Sequence, residues 1–152
     1  MTELFEIEFT FPPCIAERFK ELKLIGSGGM GCVYRARDTR LNRLVALKVV
    51  RCDKNNQKQF RKRFEREVLS LAAIKHPNII EIYDFESDDE TMFFSMEHVL
   101  GHSFAELVEN RKLAVEELIE LFVNIANALD AVHEAGLLHR DIKPANIMLS
   151  SG

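Results

Sequence analysis

Residues 136–152 read GLLHRDIKPANIMLSSG, and the segment HRDIKPAN (139–146) within it decides how the rest of the chain is read. It brings Asp141, Lys143 and Asn146 close together. An aspartate can orient an attacking hydroxyl, a nearby lysine can face a phosphate, and an amide oxygen can serve a metal ion. That set suits phosphoryl transfer, provided distant parts of the chain supply groups that hold a nucleotide.

Composition bounds the class. The chain has 152 residues, 47% of them hydrophobic and 29% charged, which suits one soluble globular domain or part of a larger one. The net charge of −4 and a pI near 5.8 give no broad basic surface for nucleic acid. Lys58, Arg61, Lys62, Arg63 and Arg66 read as the wet face of a helix. No apolar run approaches the roughly 20 residues of a membrane helix, and the acidic start MTELFEIEFTF is unlike a signal peptide. Cys14, Cys32 and Cys52 have no CxxC spacing, which fits a reduced, cytoplasmic compartment and no cysteine metal site.

Along the chain, Phe5, Ile7, Phe9 and Phe11 alternate with Glu6 and Glu8 up to Pro12-Pro13, an edge strand or a loosely held arm. Strand-like segments follow over 19–50, broken by glycines at 26–31. The pattern then predicts a helix over 57–74, short strands near 79–85 and 91–96, and a short helix opened by a Ser103/Glu106 capping box. A long helix over 116–134 carries the stripe Leu118, Phe122, Ile125, Leu129 and Val132 and is closed by Gly136. The expectation is an α+β fold: a small antiparallel sheet with one helix, a connector at 97–102, then helices.

The stretch IGSGGMGCVY holds Gly26-x-Gly28-x-x-Gly31, whose glycines let backbone N–H groups approach phosphates. CVYRARD after it reads as a strand, so the loop is a hairpin rather than the strand-to-helix turn of a dinucleotide fold. A hairpin without a ligand is the plain alternative. In VALKVV, Ala46, Lys48 and Val50 share one strand face and Val45, Leu47 and Val49 the other. A lysine in so apolar a strand either snorkels or has a partner. Helix geometry offers one: taking Phe60, Phe64, Leu71 and Ile74 as the inward stripe, Glu67 lies about 20° from Phe60, whereas Glu65 lies roughly 140° away.

These segments together resemble a eukaryotic-like serine/threonine protein kinase of bacterial type, through GSGGMGCVYRARD, VALK, Glu67, HPNII and HRDIKPAN in family order. The resemblance covers about residues 19–149. Lys143, two residues after Asp141, resembles serine/threonine rather than tyrosine kinases. The resemblance implies ATP and Mg2+ as cofactors and protein Ser/Thr hydroxyls as substrates. It places Ile25, Gly26, Ser27, Gly28, Gly29, Met30 and Gly31 in the phosphate-covering loop, with Val33 and Ala46 roofing adenine and Met148 flooring it. Met96 would stand behind the base, Glu97-His98-Val99 would form the hinge, and Ser103 would lie near the ribose. Core packing is the plain alternative for each apolar member. Lys48, held by Glu67, would reach the α- and β-phosphates. Asp141 would orient the hydroxyl, Lys143 would face the γ-phosphate and Asn146 would bind the metal. His139, Arg140 and His76 read as structural.

The implied division is an N-terminal extension (1–18) and a partial kinase domain (19–152), with an N-lobe (19–96), hinge (97–102) and the start of a C-lobe (103–152). The family's DFG aspartate, activation loop and APE segment have no counterpart in this sequence. A lone Asn146 should hold Mg-ATP poorly, so the expectation is an incomplete chain. Two other readings stand beside it: an ATP-binding module without phosphotransfer, and an interaction fragment that self-associates through the 116–134 stripe.

Overall fold

The apolar run VALKVV forms the middle of the sheet. β3 (Arg43–Arg51) pairs antiparallel with β2 (Gly31–Asp38) on one side and β5 (Thr91–Glu97) on the other. β1 (Phe19–Gly28) and β4 (Ile82–Ser87) form the edges of a five-stranded antiparallel sheet ordered β1-β2-β3-β5-β4. This computed structural model describes residues 11–28, 31–51, 57–87, 91–110, 113–139 and 141–151. The alternating stretch Phe5, Ile7 and Phe9 therefore lies outside the described residues, as do Gly29, Met30, Cys52 and Arg140.

Each sheet face is covered by a different helix. Val45, Leu47 and Val49 are buried on one face with Tyr34, Ala36 and Phe93, and Ile15 and Phe19 join the same cluster. Ile15 belongs to α1 (Pro13–Arg18), which has Pro13 in its first turn, where a missing N–H is harmless. Residues 13–18 are thus a helix docked on the sheet. Phe11 before them sets its ring edge-on to Tyr34 at 5.1 Å.

On the opposite face, α2 (Gln57–Ala72) packs Phe64 against Phe85 and Phe94, with ring centroids 6.2 and 6.1 Å apart, and buries Val68. The buried centre of α2 therefore runs through Phe64 and Val68. Phe60 is at the rim, 38% exposed and stacked on Phe64. The expected stripe was centred one edge too far round, and Glu67 is correspondingly exposed.

After β5 the chain runs through 98–100 into β6 (Gly101–Ser103), α3 (Phe104–Asn110) and α4 (Val115–Glu134). The capping box forms at α3: the Ser103 N–H donates to Glu106 Oε2 (2.8 Å) and the Glu106 N–H to Ser103 Oγ (3.2 Å). Gly136 ends α4 at φ +74, its N–H on the His133 carbonyl and that of Leu137 on Val132. Along the α4 stripe Val132 is buried, Leu118, Ile125 and Leu129 are half-buried, and Phe122 is exposed beside Phe104. No helix among the described residues is long and apolar enough to cross a membrane.

A single 3₁₀ turn (Pro144–Asn146) leads into β7 (Met148–Ser150), which pairs antiparallel with β6. The architecture is the expected α+β arrangement of sheet with helix followed by helices.

Candidate active site

Register fixes which side chains share the α2-covered face. Val33 pairs with Lys48, Lys48 with Phe94, and Ala46 with both Arg35 and Met96. Directly paired residues project to the same side of a sheet, so Val33, Ala46, Lys48 and Met96 stand together. Lys48 is half-buried, with Nζ 5.9 Å from the Phe94 ring centroid. Among the described residues no ion pair joins it to Glu67. The roll that buries Val68 turns Glu67 outward, so the structure does not bring this expected pair together.

The glycines of the β1–β2 hairpin divide into two kinds. Gly31 sits at φ +149, and a Cβ there would lie 2.1 Å from the Val49 carbonyl oxygen, so the fold itself demands glycine. At Gly26 the nearest atom to an added Cβ is Val33 Cβ at 3.9 Å, and at Gly28 nothing described lies within 4 Å. Packing among the described residues does not require glycine at these two. Ile25, ahead of them, is 48% exposed, and Ser27 pairs with Cys32.

Beyond the sheet, the β6–β7 ribbon brings the connector to the HRDIKPAN loop. Ser103 faces Met148, and the Phe104 N–H donates to the Ile147 carbonyl at 2.8 Å. A Cβ on Gly101 would lie 1.9 Å from the Leu149 carbonyl oxygen, so this approach also requires glycine. Sequence reasoning did not single out Gly101; the signal available was a glycine four residues past the last strand residue, Glu97.

Within the loop, Lys143 Nζ lies 3.1 Å from Asp141 Oδ2, and Asn146 Nδ2 donates to the same oxygen (2.9 Å) and to the Asp141 carbonyl (2.8 Å). The Asp141 N–H donates to His139 Nδ1 at 3.3 Å, so His139 shapes the loop. All three candidate residues are exposed. The hydrogen bonds from Lys143 and then Asn146 hold the Asp141 carboxyl below the ordinary carboxylate range. With Nδ2 occupied, the Asn146 amide oxygen takes part in no hydrogen bond among the described residues. Among the described residues no group of three or more His, Cys, Asp or Glu could hold a metal.

At the connector, Glu97 is exposed and Met96 and Val99 are half-buried. The Glu97 N–H donates to the Glu81 carbonyl at 2.9 Å. Burial, with Arg35 adding to it, pushes the His98 imidazole below its ordinary value.

A glycine hairpin over an apolar sheet face that carries one lysine, joined through a short connector to an Asp–Lys–Asn loop, matches a known pattern. The model of the protein kinase domain family matches residues 19–152. The chain belongs to the protein kinase domain family. Similar kinases include a probable serine/threonine-protein kinase of Streptomyces coelicolor, 42% identical over 144 residues, 91% of this chain and 21% of the relative. Serine/threonine-protein kinase PrkC of Bacillus subtilis is 39% identical over 136 residues, 89% of this chain and 21% of the relative. Serine/threonine-protein kinase PknB of Mycobacterium leprae is 37% identical over 147 residues, 93% of this chain and 24% of the relative. The chain thus spans about a fifth to a quarter of the length of these kinases. The kinase match begins at Phe19, yet α1 ahead of it is built into the sheet through Ile15 and Arg18.

Proposed function

We propose that the chain is the nucleotide-holding lobe and catalytic loop of a serine/threonine protein kinase that transfers the γ-phosphate of ATP to protein Ser or Thr hydroxyls. The observation that carries this reading is the Asp141 carboxylate, exposed, with Lys143 and Asn146 both on Oδ2. Among the described residues Oδ1 takes part in no hydrogen bond or ion pair, which leaves it for an incoming hydroxyl. A carboxyl kept below its ordinary range is a weak base. Asp141 therefore orients the hydroxyl first and takes its proton as the new O–P bond forms and the bond from Pγ to the β-phosphate oxygen breaks. Lys143 places a cation beside the transferring group.

In this reading Val33, Ala46 and Met96 contact adenine, and backbone N–H groups at Gly26 and Gly28 approach the phosphates. Lys48 reaches the α- and β-phosphates once α2 rolls Glu67 inward to pair with it. Magnesium, when bound, neutralises phosphate charge. Asn146 is the protein ligand this stretch offers it, with further oxygens needed from nucleotide, water or other protein groups.

The test incubates the chain with labelled ATP, Mg2+ and a generic protein substrate. Phosphate transfer that is abolished by Asp141→Asn supports the reading; transfer at an unchanged rate in that variant refutes the role of Asp141. Nucleotide binding that depends on Lys48, with no transfer by the unsubstituted chain, favours an ATP-binding module instead.

A further inference from the structure

We infer that Arg18, ahead of the kinase-matched region, is a positioning residue that holds the glycine hairpin at a fixed distance from the connector strand. The inference rests on the nucleotide reading of that hairpin. Arg18 is 4% exposed and Asp38 is 0% exposed. Arg18 Nε donates to both Asp38 carboxylate oxygens (3.2 and 3.1 Å), and Nη2 donates to Oδ2 (2.7 Å). Thr39 adds its N–H (3.1 Å) and its hydroxyl (2.8 Å) to the Arg18 carbonyl. Phe19 and Asp38 are register partners, so this cluster is the base of the β1–β2 hairpin whose tip carries Gly28 and Gly31.

The same guanidinium reaches the far side of the sheet. Nη1 donates to Asp84 Oδ2 and Glu86 Oε1, both at 2.6 Å, on β4. β4 is the edge strand three places from β2 in the order, yet this one cation touches β2 and β4 together. β4 pairs with β5, which carries Met96 and leads into the connector. Arg18 therefore links the two walls between which the nucleotide would sit, from outside the cleft.

β1 needs such an anchor. Phe19 is its one buried residue, and its ladder with β2 shifts register twice, between Lys20 and Lys23 and between Leu24 and Gly26. Glu21 in the first shift sits at φ 55. With little side-chain burial along its length, the strand is held chiefly by its ladder to β2 and its base.

The test compares the whole chain with Arg18→Met and Arg18→Lys by hydrogen exchange and by titration with a fluorescent ATP analogue. In Arg18→Met, amides of residues 23–28 should exchange about tenfold faster or more, while those of β3 and β5 stay within about twofold. Nucleotide affinity should fall about fivefold or more, since a loosened loop must be re-ordered on binding. Arg18→Lys, which keeps the charge and loses the planar fork, should fall between, and it carries the test if Arg18→Met does not fold. Uniform acceleration across β1, β2, β3 and β5 would make Arg18 a general stabiliser and overturn the inference, as would unchanged exchange in 23–28. Selective loosening of β1 with unchanged nucleotide affinity would support the clamp and refute the nucleotide role of the hairpin.

Discussion

Replacing Gly28 and Gly31 separately by alanine separates what the hairpin owes to folding from what it owes to a ligand. At Gly28 an added Cβ meets nothing described within 4 Å and the backbone is not in the left-handed region. Gly28→Ala should therefore be neutral or stabilising by about 0.4–1 kcal/mol, because the unfolded chain loses freedom. At Gly31 the backbone angle of +149° alone costs about 1–3 kcal/mol for alanine. The Cβ, 2.1 Å from the Val49 carbonyl oxygen, must in addition push β2 from β3. Stability is read by urea unfolding monitored by circular dichroism, and binding by anisotropy of a labelled ATP analogue. A hydrogen bond from a backbone N–H to a phosphate is worth about 1.5–3 kcal/mol. A methyl group that keeps the phosphate away should thus weaken binding by about tenfold to a hundredfold. Gly28→Ala should lose affinity at full stability, and Gly31→Ala should lose stability itself. A Gly28→Ala chain that binds as tightly as the unsubstituted one would refute the approach of phosphate to this backbone. A fully stable Gly31→Ala would refute the close contact between β2 and β3.

Ile15→Ala should cost about 2–5 kcal/mol in urea unfolding, as expected of a core position, although Ile15 precedes the kinase-matched region. For pH, burial pushes the Asp38 carboxyl up, but Arg18 and the Leu41 and Arg40 amides together hold it below its ordinary value. Its stabilising contribution is then present above the unfolded carboxylate value, about 3.9, and is lost as pH falls through the depressed folded value. In Arg18→Met the sign reverses, because burial then acts with little compensation. The loosening of residues 23–28 in Arg18→Met should therefore be greatest near pH 7 and should shrink as pH approaches about 4, measured by amide protection factors at stepped pH. Gly136→Ala meets no steric obstacle but needs φ +74, so it should cost about 1–2 kcal/mol and Gly136→Asn less, read as a shift in thermal midpoint.

Where local chemistry dictates structure, the sequence was readable. Gly136 after an apolar stripe, Ser103 three residues before Glu106, and alternation through VALKVV each determine geometry within a few residues, and each forms as expected. The roll of α2 was not readable, because periodicity gives angles between residues of a helix but not which edge of the apolar arc meets the sheet. Phe85 and Phe94, on distant strands, decide that by receiving Phe64, and Glu67 is carried outward as a result. α1 escaped notice for a different reason. Its six residues make less than two turns, too few to show a period, and the partner of Arg18 lies twenty residues on in Asp38. Within HRDIKPAN the contacts of Asp141 with Lys143 and Asn146 are local, so sequence proximity alone brings these three together.

The β6–β7 ribbon limits how the molecule can bend. The Ser151 N–H donates to the Leu100 carbonyl at 2.8 Å, and Gly101 lies against Leu149, so from Leu100 onward the connector is laced to the strand that follows the HRDIKPAN loop. On the other side, Glu97 is still held by the sheet and by the Glu81 carbonyl. Only His98 and Val99 lie between these two tethers. In the proposed kinase reading, opening or closing of a cleft would turn on that two-residue axle, with Asp141 on the distal side and Lys48 on the sheet side. Stiffening the axle, for instance with Val99→Pro, would change how far the lysine and the aspartate can separate without altering either residue.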